Sequence, residues 1–172
     1  MKITTLETER LVLQPISSDD RELIFELYNS PKFIEFIGDR KIRTLQDAEN
    51  YIKEKFLPQL EKLGFGNYLI VRKEDQKKVG AVGIFEREGL PVHDIGFSFL
   101  PQFEGKGYGY ESASKLMETG FREFGLKKIS AITSPANVRS QKLIEKLGLK
   151  FKRYIQFPGG DEELLYYEKE KD

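Results

Sequence analysis

Between Leu100 and Glu111 the chain reads Leu-Pro-Gln-Phe-Glu-Gly-Lys-Gly-Tyr-Gly-Tyr-Glu. Gly105, Gly107 and Gly109 alternate just ahead of an amphipathic helix. Successive backbone N–H groups are therefore left uncovered where the helix dipole is also positive, which makes the loop a cradle for phosphate. Lys106 either adds charge to that cradle or faces solvent, whereas the Glu104 carboxylate would weaken diphosphate binding unless it points away. Further on, Asn137 and Ser140 stand three apart in the first turn of another helix, with side chains on one face. Capping alone would explain Asn137. His93 and Asp94 are neighbours in a strand and both can move protons; the histidine has an ordinary pKa suited to neutral pH. Strand alternation sends His93 to the core side, and Asp94 could simply form a salt bridge.

The elements that must position these groups follow from hydrophobic period and punctuation. Residues 10–15 read as a first strand stopped by Pro15, and Ser17 and Ser18 offer caps for an amphipathic helix over 19–29 that ends before Pro31. Phe33, Ile34, Phe36 and Ile37 then follow without a clean period, packing down a loop or walling an acceptor pocket. Thr44 to Asp47 is a variant capping box, opening a helix that Pro58 kinks or divides and Gly64 ends. The period next switches to that of strands, at 68–72, 79–85 and 92–100, which form an antiparallel meander. A helix over 108–124 carries Ala113, Leu116, Met117, Phe121 and Phe124 on one stripe. It leads to a strand at 128–134, so this strand and 92–100 should run parallel. Asn137 caps a last helix that stops at Gly148. Strands at 150–157 and 163–168 flank a turn, Pro158 to Asp161, whose Asp161, Glu162 and Glu163 read as a solvated acidic cluster. Residues 169–172 read as a frayed end.

Composition narrows the function. A chain of 172 residues with no internal repeat reads as one domain, 1–172. Its 28 basic and 28 acidic residues cancel, so no long-range field points to nucleic acid or an anionic membrane. With no cysteine and one histidine, thiolate nucleophiles and Cys- or His-rich metal sites are excluded. The first nine residues lack the apolar centre of a signal peptide and no long apolar run occurs, so a cytoplasmic protein is expected.

The glycine loop lacks the Lys-Ser or Lys-Thr that closes a Walker motif, and it lies too late in the chain for a Rossmann fingerprint. It resembles motif A of the GNAT superfamily of acyl-CoA-dependent N-acyltransferases: Gln or Arg, two residues, Gly, one residue, Gly, then an aromatic and a small residue. Gln102, Gly105, Gly107, Tyr108 and Gly109 match. The opening Thr8-Glu9-Arg10-Leu11-Val12-Leu13, with Asn137, Ser140 and Glu145-Lys146-Leu147-Gly148, extends the resemblance over nearly the whole chain. It is nearest the branch that includes ribosomal-protein N-terminal acetyltransferases.

The resemblance implies an α/β (α+β) GNAT fold. A single mixed, mostly antiparallel sheet of about seven strands is flanked by about four helices, and two parallel strands splay apart to admit a pantetheine arm. It implies acetyl-CoA as acyl donor, no metal, and direct attack by a primary amine, of a protein N-terminus or of a small molecule such as a polyamine, amino acid or aminoglycoside; the rival on the same fold is a sensor that binds acyl-CoA without turnover. A homodimer would be common in the family. The thioester would lie along Phe97, Ser98, Phe99 and Leu100, with N–H groups near Phe99 and Leu100 polarising its carbonyl. Gln102, Phe103, Gly105, Lys106, Gly107, Tyr108, Gly109 and Tyr110 would surround the pyrophosphate, held by N–H groups from Phe103 to Gly109. Asn137 would bind pantetheine amides, Ser140 would serve the thiolate sulfur, and Asp94 would be the general base, with His93 and an acid near Asp161, a region some relatives of this branch use, as the alternatives. The tyrosine acid of other members is replaced by Ile144.

Overall fold

The computed structural model describes residues 4–157 and 160–172, so Pro158 and Gly159 of the expected turn lie outside the described residues. The strands are β1 (Leu6–Glu7), β2 (Leu11–Pro15), β3 (Asn67–Arg72), β4 (Lys78–Phe85), β5 (Asp94–Phe99), β6 (Lys128–Thr133), β7 (Lys150–Ile155) and β8 (Leu164–Glu170). They form one sheet in the order β1-β2-β3-β4-β5-β6-β8-β7. Every adjacent pair is antiparallel except β5 and β6. The helices are α1 (Arg21–Tyr28), α2 (Pro31–Phe36), α3 (Leu45–Tyr51), α4 (Leu57–Leu63), α5 (Tyr108–Arg122) and α6 (Val138–Lys146).

Local chemistry accounts for most of these boundaries. Ser17 and Asp20 form a capping box ahead of α1, and Thr44 and Asp47 form another ahead of α3. The helical run begun at α3 does not break at Pro58. It widens into a π-helical turn over Ile52–Phe56, where the Leu57 N–H reaches back to the Ile52 carbonyl, and continues as α4. Gly64 ends it in a left-handed conformation.

Two elements escape the periodic reading. β1 is two residues long, too short to show a period, and its Leu6 pairs with Leu13. The segment after Pro31 is a short helix rather than a loop; Phe33 turns inward while Ile34 and Ile37 stay exposed. Among the described residues, eight strands and five α-helical runs thus stand where about seven and about four were expected.

The main core lies between the sheet and α5, α1 and α6, with Leu11, Leu13, Ile70, Ile84, Leu116 and Ile129 among its fully buried members. A second cluster, Ile16, Ile24, Ile42, Ala48, Ile52 and Phe56, seals α1 against α3 and its π turn. No described helix is long and apolar enough to cross a membrane.

Candidate active site

β5 and β6 meet at one register pair, Asp94 with Ser130, reinforced by the Ser130 N–H donating to the His93 carbonyl at 2.9 Å. β5 is paired with β4 and β6 with β8 on their far edges, while on the edges that face each other no register pair follows Asp94–Ser130 among the described residues. A gap opens there. The Leu100 N–H donates to the Val79 carbonyl at 3.0 Å, which fixes the alternation of hydrogen-bonding direction along β5. By that alternation the N–H and carbonyl groups of Phe97 and Phe99 point into the gap. Leu100 is therefore corrected as a backbone donor, because its N–H already belongs to the sheet.

The glycine loop closes one end of the gap. Gly105 and Gly107 have φ of +75° and +83°, left-handed values that side chains resist. A Cβ on Gly109 would lie 2.8 Å from Leu143 Cδ2, so α5 and α6 meet closely there and a larger residue would have to move the end of the Leu143 side chain. The Phe103 and Glu104 N–H groups donate to the Leu100 and Pro101 carbonyls, which removes both from the expected cradle. Those of Gly105, Lys106, Gly107, Tyr108, Gly109 and Tyr110 have no protein acceptor among the described residues; the last three are orphan donors at the start of α5. The set that can hold an anion thus runs from Gly105 to Tyr110.

The side chains around the loop have structural partners. The Arg10 guanidinium covers the Tyr108 ring at 4.6 Å, and Arg72 Nη1 donates to the Tyr108 hydroxyl at 3.4 Å while lying over Phe103. Lys146 covers the half-exposed Tyr110 ring. Glu111, in the first turn of α5, accepts from Thr8 Oγ1 at 2.6 Å, the Arg10 N–H at 2.9 Å and Arg10 Nε at 2.7 Å. Burial would raise this carboxyl, but the hydrogen bonds outweigh it and lower the pKa below the ordinary glutamate value. The opening Thr-Glu-Arg of the chain is thus a clasp on the helix that carries the cradle.

On α6, Asn137 Oδ1 accepts from the Ser140 N–H at 3.2 Å. The cap uses only the oxygen, so the Asn137 amide nitrogen and the Ser140 hydroxyl remain without protein partners among the described residues. Ile144 is fully buried, as a core residue.

Asp94 lies at the apex of the gap and is only 2% exposed. Its Oδ1 accepts from Arg87 Nε at 2.6 Å. Burial pushes the carboxyl up from 3.8 and the Arg87 charge and hydrogen bond pull it back, leaving it at about 6. Arg87 escaped the sequence reading, although Phe85 pairing with Asp94 across the hairpin would have placed it within reach. A row of aromatic contacts runs from there to α2: Arg87 over Phe85, then Phe85 with Phe56, Phe56 with Tyr51, Tyr51 with Tyr28, and Tyr28 stacked on Phe33 at 4.0 Å. Burial first, and Tyr51 second, raise the Tyr28 phenol above its ordinary pKa, against the pull of Arg40 and Arg87. His93 turns to Phe65, ring centroids 5.8 Å apart, and its buried Nε2 has no partner among the described residues. Asp161, Glu162 and Glu163 are exposed.

The splayed parallel strands, cradle and capped α6 are the arrangement of a known family. The model of the acetyltransferase (GNAT) domain matches residues 10–150. This chain belongs to that family. The GNAT chain is 30% identical over 152 residues to the uncharacterized N-acetyltransferase YjdG of Bacillus subtilis, covering 83% of this chain and 88% of the relative. An acetyltransferase from Agrobacterium tumefaciens superposes with a TM-score of 0.83 at 26% identity, covering 99% of this chain and 96% of that one. RimL, a ribosomal alpha-N-protein acetyltransferase in complex with coenzyme A, shares the fold with a TM-score of 0.82 at 14% identity, over 97% and 98% of the two chains. The protein is thus an N-acetyltransferase of the GNAT fold.

Proposed function

We propose that this enzyme moves the acetyl group of acetyl-CoA to the α-amino group of a protein or peptide N-terminus, by direct attack with donor and acceptor bound together. The observation that carries this reading is the gap beyond the Asp94–Ser130 pair, open at one end to the Gly105–Tyr110 N–H groups and apexed by a buried carboxylate. The residues present fit the donor: orphan N–H groups for a diphosphate, strand-edge carbonyls of Phe97 and Phe99 to accept from the amides of a peptide-like arm, and uncommitted Asn137 and Ser140 groups beside it. Acetyl-CoA supplies an acyl thioester that a neutral amine can attack. Ser98, Gln102 and Lys106 belong to the same proposed binding surface.

The chain's own residues then divide the work. Phe97 and Phe99 N–H groups polarise the carbonyl, a contribution commonly worth about 100-fold or more. The Asp94 carboxylate receives the amine proton, directly or through one water, and Ser140 Oγ donates a hydrogen bond to the departing sulfur. The Arg87 pair does not disable Asp94 as a base, because a carboxyl titrating near 6 is ionised at neutral pH. An α-amino group with an ordinary pKa of roughly 8 needs only a weak base, unlike a lysine near 10.4. Amine-dependent CoA release tests these roles. Asp94→Asn and Ser140→Ala should each slow it by about 100-fold at pH 7, and wild-type rates in both would remove the assignments.

A further inference from the structure

Glu104 is the only residue of the loop whose charge opposes an anion, and its surroundings answer that charge. Its Oε2 accepts from Lys32 Nζ at 2.7 Å and from Arg139 Nη1 at 3.0 Å. Lys32 belongs to α2 and Arg139 to the first turn of α6, so one carboxylate oxygen joins the aromatic side of the site, the cradle and the helix of Asn137 and Ser140. Arg139 Nη2 lies 3.8 Å from the point a Cβ on Gly105 would occupy. The guanidinium therefore stands beside the open N–H groups, with Nη2 engaged by no acceptor among the described residues.

Two details make this more than a surface ion pair. The cations are the outer members: the Lys32 and Arg139 side chains are 51% and 63% exposed, against 22% for Glu104. And a single cation would neutralise the acid, whereas two leave the trio with a net positive charge at the lip of an anion cradle. Exposed pairs of this kind contribute little to stability, too little to explain bringing three elements together. Held cations facing a phosphate are worth more.

We propose that Glu104 positions Lys32 and Arg139 as a two-cation clamp on the phosphate groups of the donor. The inference rests on the donor-site reading given above. It reverses the sign of the Glu104 contribution: the carboxylate that would repel a diphosphate on its own aids binding by holding two cations at the loop.

Calorimetric titration with coenzyme A, and with pantetheine, which has the arm but no phosphate, tests the clamp without turnover. Lys32→Gln and Arg139→Gln should each weaken coenzyme A binding about tenfold, the worth of one charge-assisted hydrogen bond, and leave pantetheine binding unchanged. Glu104→Gln should weaken coenzyme A binding about threefold in the otherwise unaltered protein. In a Lys32→Gln/Arg139→Gln background the same change should tighten it, because the unpartnered acid then only repels. Unchanged coenzyme A affinity in both cation variants, equal losses for the two ligands, or a Glu104→Gln that tightens binding in both backgrounds would overturn the clamp. A wild-type protein that binds no coenzyme A would overturn the donor site itself.

Discussion

Asp94 is held between two opposed effects, and both can be read out in solution. Burial disfavours its charge and Arg87 favours it, with burial winning, so the folded carboxyl titrates near 6 instead of 3.8. The base form is present above that pH, and kcat/KM should fall as pH drops through about 6. Arg87→Gln removes the favourable neighbour and should move this acidic limb to higher pH. Asp94→Asn should abolish the limb, and its deficit should shrink towards pH 9, where an α-amino acceptor is neutral without help. The stability sign is the opposite of the usual carboxylate case. A raised folded pKa gives stability that is complete below 3.8 and lost as pH rises through 6, so Asp94→Asn should melt higher than wild type at pH 8 and lose that advantage near pH 4. An unmoved limb in Arg87→Gln would show that another group sets it.

At the scale of elements, the site depends on how α5 is presented. Its first turn is fixed from below by Arg72 on Tyr108 and from the side by the Thr8 and Arg10 clasp on Glu111. The clasp comes from a segment more than a hundred residues earlier in the chain, so it orients the orphan N–H groups relative to the sheet. Glu111→Gln should cost about 2 kcal/mol, since it weakens charge-assisted bonds and leaves Arg10 without its anion. A melting temperature lower by about 4–8 °C would register that loss. Because the folded Glu111 pKa is depressed, its contribution is present above the unfolded value and disappears as pH falls through the folded one. The difference between variant and wild type should therefore close in acid; a difference independent of pH would assign the effect to packing.

Across the whole molecule, legibility followed the range of the interactions. The cradle could be read because left-handed glycines and orphan helix donors are local properties of a few residues, and the Asn137 cap and the parallel β5–β6 pair likewise follow from short patterns. Arg87 with Asp94, Arg139 with Glu104 and Lys32 with Glu104 are separated by 7, 35 and 72 residues. The two Glu104 pairs form only when distant elements meet, so no spacing in the chain announces them, whereas Arg87 with Asp94 needs the register of the β4–β5 hairpin. Phe103, Glu104 and Leu100 read as open N–H donors in the sequence, which does not show which donors a short turn or a strand register consumes. The splay itself is expected from the family resemblance; here it shows as a β5–β6 contact reduced to the single pair Asp94–Ser130. The most direct measurement is thiol release from acetyl-CoA by the wild-type protein across N-terminal peptides, polyamines and aminoglycosides, with the acceptor weighed by mass spectrometry. Release that requires a peptide and leaves one acetyl group on its α-amine is the predicted result; turnover on polyamines or aminoglycosides with none on any peptide would contradict the proposed acceptor.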